Sequence, residues 1–414
     1  MKITATILLF TLISISGFSQ SIIEFRGINR TGHFNETGLL KEWPEGGPEL
    51  LLEIEGIGKG YSHPVVVDDV IFVTGIKEDT TDVLSAYNFS GQLLWETSYG
   101  RSWIRSYSDS RCTPTYQSGK LYLASGTGQV SCVDATTGKI IWKVDAIENY
   151  GGEIHRHGDA ESPLIVGDKV VFATGGEVNT MVALNKSDGT LAWKTRSLGG
   201  AKSYASSVLI SHNGREIIVA QTTRNIIGIA PFDGSVIWSY DLIQYHTKSQ
   251  GQGAQANPPL YFNGELFTTS GYDHPGTMFS LSEDGKTIKL KWKNETIDTH
   301  HGGVVLVDGN LYGSNWQHNS RGRWACVNWE SGKTNWEEEW INKGSVIYAD
   351  GMLYLYEEKS GNVALAEPSE KNLKIISTFK VNKGAGPHWA HPAIYDGKLF
   401  IRHGNVLMVY NLKA

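Results

Sequence analysis

Cysteine is scarce. The 414 residues hold three, Cys112, Cys132 and Cys326, which permit at most one disulfide. Cys112 falls on the first strand of its repeat unit and Cys132 on the third, so they sit about 10 Å apart, beyond the roughly 7 Å between bridged Cα atoms. All three are read as small, buried apolar side chains. Concentrated positive charge is also missing. The formal net charge is −6 with both signs interspersed, and no basic cluster exceeds two residues. Nucleic acid and charged membrane surfaces are therefore poor partners. Past residue 18 no apolar run approaches the roughly 18 residues that cross a bilayer, so no membrane span is expected. Linkers are absent too. No Pro/Ser-rich stretch or charge block interrupts the chain, so residues 21–414 are expected to form a single domain, monomeric in solution. Ahead of it, Lys2, the apolar run from Ile3 to Phe18 and the small residues Ser16, Gly17 and Ser19 read as a secretory signal peptide, residues 1–20. Cleavage is expected near Gln20, with export to the periplasm or beyond. No cysteine follows the run, which argues against a lipoprotein anchor.

What the sequence has in quantity is one recurring stretch. Val130-Ser-Cys132-Val-Asp134-Ala-Thr-Thr-Gly138-Lys-Ile-Ile-Trp142 reads as a strand, an Asx-type turn with a glycine at positive φ, and a returning strand. The Gly-x-x-x-Trp ending returns at Gly91–Trp95, Gly189–Trp193, Gly234–Trp238 and Gly332–Trp336, and in stretched form from Gly285 to Trp292. A period of roughly 44 to 54 residues with four strands per unit predicts a β-propeller. Two residues before each turn's Asp or Asn position a second column stays mostly small: Ala86, Cys132, Ala183, Gly228, Ser280, Cys326 and Ala364. Each indole is expected to pack into the space so left, burying about 200 Å², or at most ~5 kcal/mol at about 25 cal/mol per Å².

Eight blade openings follow one pattern: His63-Pro64, Thr113-Pro114, Ser162-Pro163, Ser206-Ser207, Pro258-Pro259, Gly303-Val304, Ser345-Val346 and His391-Pro392. Each is followed by a hairpin dipeptide, from Asp68-Asp69 to Asp396-Gly397. The last blade runs out of chain before its fourth strand, and Pro48–Ile54 has no blade of its own. The expectation is an all-β, eight-bladed propeller of four-stranded antiparallel blades, its ring closed by this N-terminal strand.

Asp134-Ala-Thr-Thr-Gly138 followed by Trp142, with the opening Phe25-Arg26-Gly27-x-Asn29-Arg30-x-Gly32, resembles the secreted pyrroloquinoline-quinone (PQQ) type β-propeller repeat proteins. The resemblance implies a quinoprotein oxidising an alcohol or sugar, with PQQ as cofactor, alongside polysaccharide degradation. The family's dehydrogenases hold PQQ between a tryptophan and a disulfide of adjacent cysteines, with calcium on acidic and amide side chains. This chain has no adjacent cysteines and no Cys-x-x-Cys-His haem motif.

In a propeller the loops leading into the inner strands gather at one rim. Eight of the 13 histidines fall in or just before blade openings: His63, His155, His157, His246, His300, His301, His388 and His391. The same loops carry Trp103, Arg105, Arg111, Asp159, Glu161, Lys202, Tyr204, Gln252, Gln255, Asn257, Lys343 and Trp389. Cationic side chains suit anionic groups, and aromatic faces suit sugar rings or a quinone. For any one of these residues, solvation of a polar loop is an equally simple explanation.

Three functions compete: the quinoprotein, a carbohydrate-active propeller such as a polysaccharide lyase, and a non-catalytic platform for a glycan or protein. The expected catalytic residues are Arg111, His157, Tyr204 and His301. The ligand-binding residues are His63, Trp103, Arg105, His155, Lys202, Gln255, Asn257, His300, Lys343, Trp389 and His391. His155-Arg-His157 would present two imidazoles on one side of a strand, a spacing that suits a divalent metal. His300 and His301, as neighbours in a strand, would face opposite ways, so only one is expected to look into the channel while the other hydrogen-bonds at a blade interface. His63, Arg111, His157, Tyr204, His301 and His391 are expected to converge at one end of the axis.

Overall fold

Eight sheets of four antiparallel strands follow one another around a ring, each running from an inner to an outer strand in chain order except the last, whose outer strand comes from the N-terminal segment. The computed structural model describes residues 22–78, 80–245 and 253–414; the leader, His246 and Gln252 lie outside them. The first blade shows the plan: Val65–Val67, Val70–Lys77, Thr81–Asn88 and Leu93–Arg101. A single α-helical turn, Ala146–Tyr150, interrupts the β structure. Tight turns set the strand register. Seven of the eight inner hairpins carry positive φ at both central residues, 46° and 63° in Asp68-Asp69 and 53° and 76° in Ser118-Gly119, as a type I′ turn requires, while Gly167-Asp168 has it at the glycine alone. The last blade closes as expected, with Leu50–Glu55 pairing antiparallel to Val406–Asn411 and Ile54 opposite Leu407.

The tryptophan column joins blade to blade. Within a blade, Trp95 stands opposite Ala86, Trp142 opposite Cys132, Trp193 opposite Ala183, Trp238 opposite Gly228 and Trp336 opposite Cys326. The small residue thus belongs to the indole's own sheet. The neighbouring blade contributes the turn glycine: a Cβ on Gly138 would lie 2.6 Å from Trp95, and one on Gly189 2.8 Å from Trp142. It also contributes a turn carbonyl, so that Trp95 Nε1 donates to Ala135 O (3.2 Å), Trp142 Nε1 to Lys186 O (2.9 Å) and Trp336 Nε1 to Ser369 O (2.8 Å). Two expectations need correction. Trp292 faces Met278, and Ser280 pairs instead with Lys289, because the stretched turn shifts the register. Ala364 faces Thr378, its blade having no tryptophan there. At the closure Leu52 takes the indole's place against Gly91.

The axis is filled by the N-terminal segment, which repeat arithmetic leaves without a role. Ile23 bridges Tyr116 of the second blade, and His33–Phe34 runs parallel to the inner strand Gly344–Ala349 of the seventh. Between them the Arg26 guanidinium, 1% exposed, donates to Val304 O (2.8 Å), Val346 O (3.1 Å) and Gly302 O (3.4 Å), and bonds His391 Nδ1 (2.8 Å). Arg30 ties Glu24 (2.8 Å) to the carbonyls of Ser162 and Pro163 (2.8 and 2.9 Å). Gly303 has to be glycine, since a Cβ would come within 2.0 Å of Arg26 Nη1.

The docking geometry makes Trp142 a test of blade stacking. Its indole is 7% exposed. Trp142→Ala is expected to cost about 3–5 kcal/mol in chemical denaturation, the range for truncating a buried large aromatic. A loss below about 1 kcal/mol would mean that blades stack by other contacts.

Candidate ligand-binding site

Two sets of loops reach the same rim: those that open each blade, and those between its second and third strands. Together they enclose a cavity of about 620 Å³ over the axial segment, with Phe25 in its floor. One wall is aromatic. The Trp389 ring lies 5.1 Å from Tyr61, 5.3 Å from Tyr107 and 5.1 Å from His301. Across from it Tyr204 is hydrogen-bonded to His155 Nδ1, and His157 Nδ1 is held by Ser106 Oγ at 2.9 Å. Burial raises the Tyr204 pKa, and burial with the nearby Arg156 and Arg111 charges lowers that of His157.

The four residues expected to be catalytic, Arg111, His157, Tyr204 and His301, all line this cavity, as do His155, His300, Trp389 and His391. Of the six residues expected to converge, His63 stops short. It is fully buried, stacked on Phe25 (5.5 Å), and its Nε2 accepts from Arg26 N (2.8 Å). Other expected ligand contacts also lie behind the wall. Lys202 pairs with Glu161 and with Asp159 (3.2 Å). Lys343 pairs with Glu358, whose other oxygen is 3.5 Å from His301 Nε2. Asn257 donates to the Thr299 and His300 carbonyls (both 2.8 Å) and accepts from Gly303 N (2.9 Å), fixing the His300-His301 loop. Gln255 is buried and accepts from Tyr204 N (2.9 Å) through its carbonyl. Trp103 donates to Ser106 Oγ (3.1 Å), with exposed Arg105 over its ring at 5.1 Å. His388 is buried against His403 and Tyr356.

His300 and His301 both line the cavity, their rings 4.4 Å apart, because they lie in a loop where strand alternation does not operate. Sequence reasoning missed Tyr272 and Asn319, which belong to loops between second and third strands. It also missed Tyr61, Tyr107 and Arg156. Arg156 sits inside the His155-Arg-His157 triplet that was read for its histidines alone.

The parts that would hold PQQ and its calcium do not fit. Among the described residues no acidic side chain lines the cavity and Asn319 is the one side-chain amide that does, while the three cysteines are free, buried and absent from its lining. Among the described residues, no group of three or more His, Cys, Asp or Glu side chains is placed to hold a metal ion.

A family model described as outer membrane protein assembly factor BamB matches residues 79–338. The protein of that name from Yersinia pestis is 25% identical over 292 residues, covering 67% of this chain and 68% of that protein. The crystal structure of BamB from Moraxella catarrhalis is similar with a TM-score of 0.64 and 14% identity, over 88% of this chain and 99% of that one. The quinohemoprotein alcohol dehydrogenase from Comamonas testosteroni is similar with a TM-score of 0.68 and 12% identity, over 92% of this chain and 79% of that one. At such identities the two structures share the fold alone.

Burial lowers the pKa of His157, His300, His301 and His391, so these four are neutral at neutral pH. Burial, helped by the Lys343 and His391 neighbours, takes His301 down to about 3, so its contact with Glu358 is not an ion pair. The unfolded chain binds that proton near 6.5. Between about 3 and 6.5 the unfolded state therefore holds more protons, and the contribution of His301, complete above 6.5, is lost as pH falls. From pH 7 to 4.5 the wild type should lose about 2–3 kcal/mol more stability than His301→Gln, read from urea midpoints. Equal losses would mean that His301 titrates normally.

Proposed function

The chain belongs to the PQQ-repeat family described as outer membrane protein assembly factor BamB, and on that premise we propose that it is an exported, non-catalytic platform that holds a glycan in its axial socket. The observation that carries this reading is the cavity itself: about 620 Å³, floored by Phe25 and walled by Tyr61, Tyr107, Tyr204, Tyr272 and Trp389 among polar side chains. Flat aromatic faces take the apolar faces of sugar rings while histidine and asparagine serve their hydroxyls. The family description names an assembly role, which supports binding over turnover. The protein is exported and works in the periplasm or beyond it. A quinoprotein role has the fold in its favour but neither the thiols nor the acidic ligands.

A second reading is proton transfer on the bound glycan. Two pairs favour it: Tyr204 bonded to His155, and His301 facing Glu358. In such chemistry His157 or Tyr204 would move the proton and Arg111 would meet the developing charge.

Titration of the mature protein with neutral and acidic oligosaccharides, followed by tryptophan fluorescence and calorimetry, separates these readings. The expected result is saturable binding without consumption of the sugar, weakened about ten-fold or more by Trp389→Ala, the loss of one aromatic stacking contact. Sugar cleavage would establish the second reading. Turnover that needs added PQQ and calcium would restore the dehydrogenase. Failure of every sugar to bind would overturn the glycan platform.

A further inference from the structure

The permanent charges around the socket have one sign. Arg111 and Arg156 line it, and among the described residues no aspartate or glutamate does. Of the acids nearby, Glu358 pairs with Lys343 and Glu161 with Lys202, while Asp109, which accepts from Tyr61 (2.9 Å), and Asp82 act on Arg111 from outside the lining without forming an ion pair. Arg111 is anchored at one end only. Its Nη2 donates to the carbonyls of Ser106 (3.4 Å) and Tyr107 (2.5 Å), while Nη1 is buried without a hydrogen-bond partner. Arg156 is exposed at the rim and has no ion-pair partner among the described residues. Both charges bear on His157 and on Tyr204, which puts them around the same part of the socket. Tyr107 links them to the aromatic wall, for it gives its carbonyl to Arg111 and its ring to Trp389 at 5.3 Å.

We propose that the socket selects an acidic sugar, its carboxylate or sulfate seated on Arg111 and Arg156 and its ring against Trp389 and Tyr107. This rests on the reading of the socket as a glycan site and adds to it the sign of the ligand's charge. A charge-assisted contact at a rim weakens with salt, whereas stacking does not. The two dependences can therefore be measured apart.

The test uses the mature chain and three probes: cellotriose, trigalacturonate and a sulfated chondroitin disaccharide, titrated by calorimetry at about 0.02 and 0.2 M ionic strength. At least one acidic probe should bind about ten-fold or more tighter than cellotriose at low salt, with the preference shrinking at high salt. Because the chondroitin disaccharide carries a uronate carboxylate as well as its sulfate, its unsulfated form is the control that assigns any preference to the sulfate. Arg111→Gln should remove most of the preference. Because Arg111 also anchors the Tyr107 loop, Arg156→Gln is the second variant; it should lower acidic-probe affinity with an unchanged melting temperature. Equal affinity for cellotriose and both acidic probes, or a preference untouched in both variants, overturns the proposal and leaves the glycan site standing. Absence of binding by all three overturns it together with that site.

Discussion

A blade of four strands has two faces and cannot bury either alone, so the molecule depends on how each sheet meets the next. The unit of that contact is one indole held between two surfaces. Its own blade offers a residue small enough to lie under the ring, as Gly228 does beneath Trp238, where a Cβ would come within 2.2 Å. The next blade offers a turn glycine and a backbone carbonyl that satisfies the indole N–H. Burial supplies the stabilisation and the hydrogen bond supplies the register, because it can be made only when the neighbouring turn is at the right height. Where the turn is stretched, the bond fails: Trp238 Nε1 is buried without a partner.

A ring of eight blades, six of which dock through an indole, leaves an axis lined by inner-strand ends, whose carbonyls and amides face inward with nothing to bond. The N-terminal segment answers this with arginine. Arg26 collects three carbonyls from the sixth and seventh blades and a histidine of the eighth, and Arg30 collects two from the third. Five donors in a rigid fork suit this task better than any other side chain, and backbone carbonyls rather than a carboxylate share the Arg26 charge. Burial without a counter-charge lowers the Arg26 pKa to about 9. The same plug turns a channel into a socket with a floor, so closing the axis also makes the site.

Blade number, hairpin register and ring closure were legible because they depend on period and on turn residues, which are local. The rim was legible by phase: a residue's position relative to its blade opening fixes which end of the ring it occupies, and that alone brought Arg111, His157, Tyr204, His301 and His391 together. Phase does not say how deep a side chain lies. Lys202, Lys343, Asn257 and His63 share it and are buried behind the wall. Nor does attention to one class of loop recover the other, hence Tyr272 and Asn319. The plug was the least legible, since a segment without repeat character has no phase. Its glycines and arginines were visible in the opening motif, but their meaning depends on partners 132 to 365 residues away.

The separation of buried from lining cations follows a rule of its own. Each lysine withdrawn behind the wall has an acid with it: Lys202 has Glu161 and Asp159, and Lys343 has Glu358. Burying those charges without partners would cost several kcal/mol each, so the pairs are a condition of the rim's rigidity rather than a source of affinity. Arg111 and Arg156 have no such acid and remain at the socket. Pairing either with a new acid would quiet its charge and the socket's pull on anions together. The histidines complete the division. Being kept neutral by burial, His300, His301 and His391 offer polarity without charge at neutral pH. The sign of the socket is therefore set by two guanidinium groups, and its depth by a tail that the repeat does not encode.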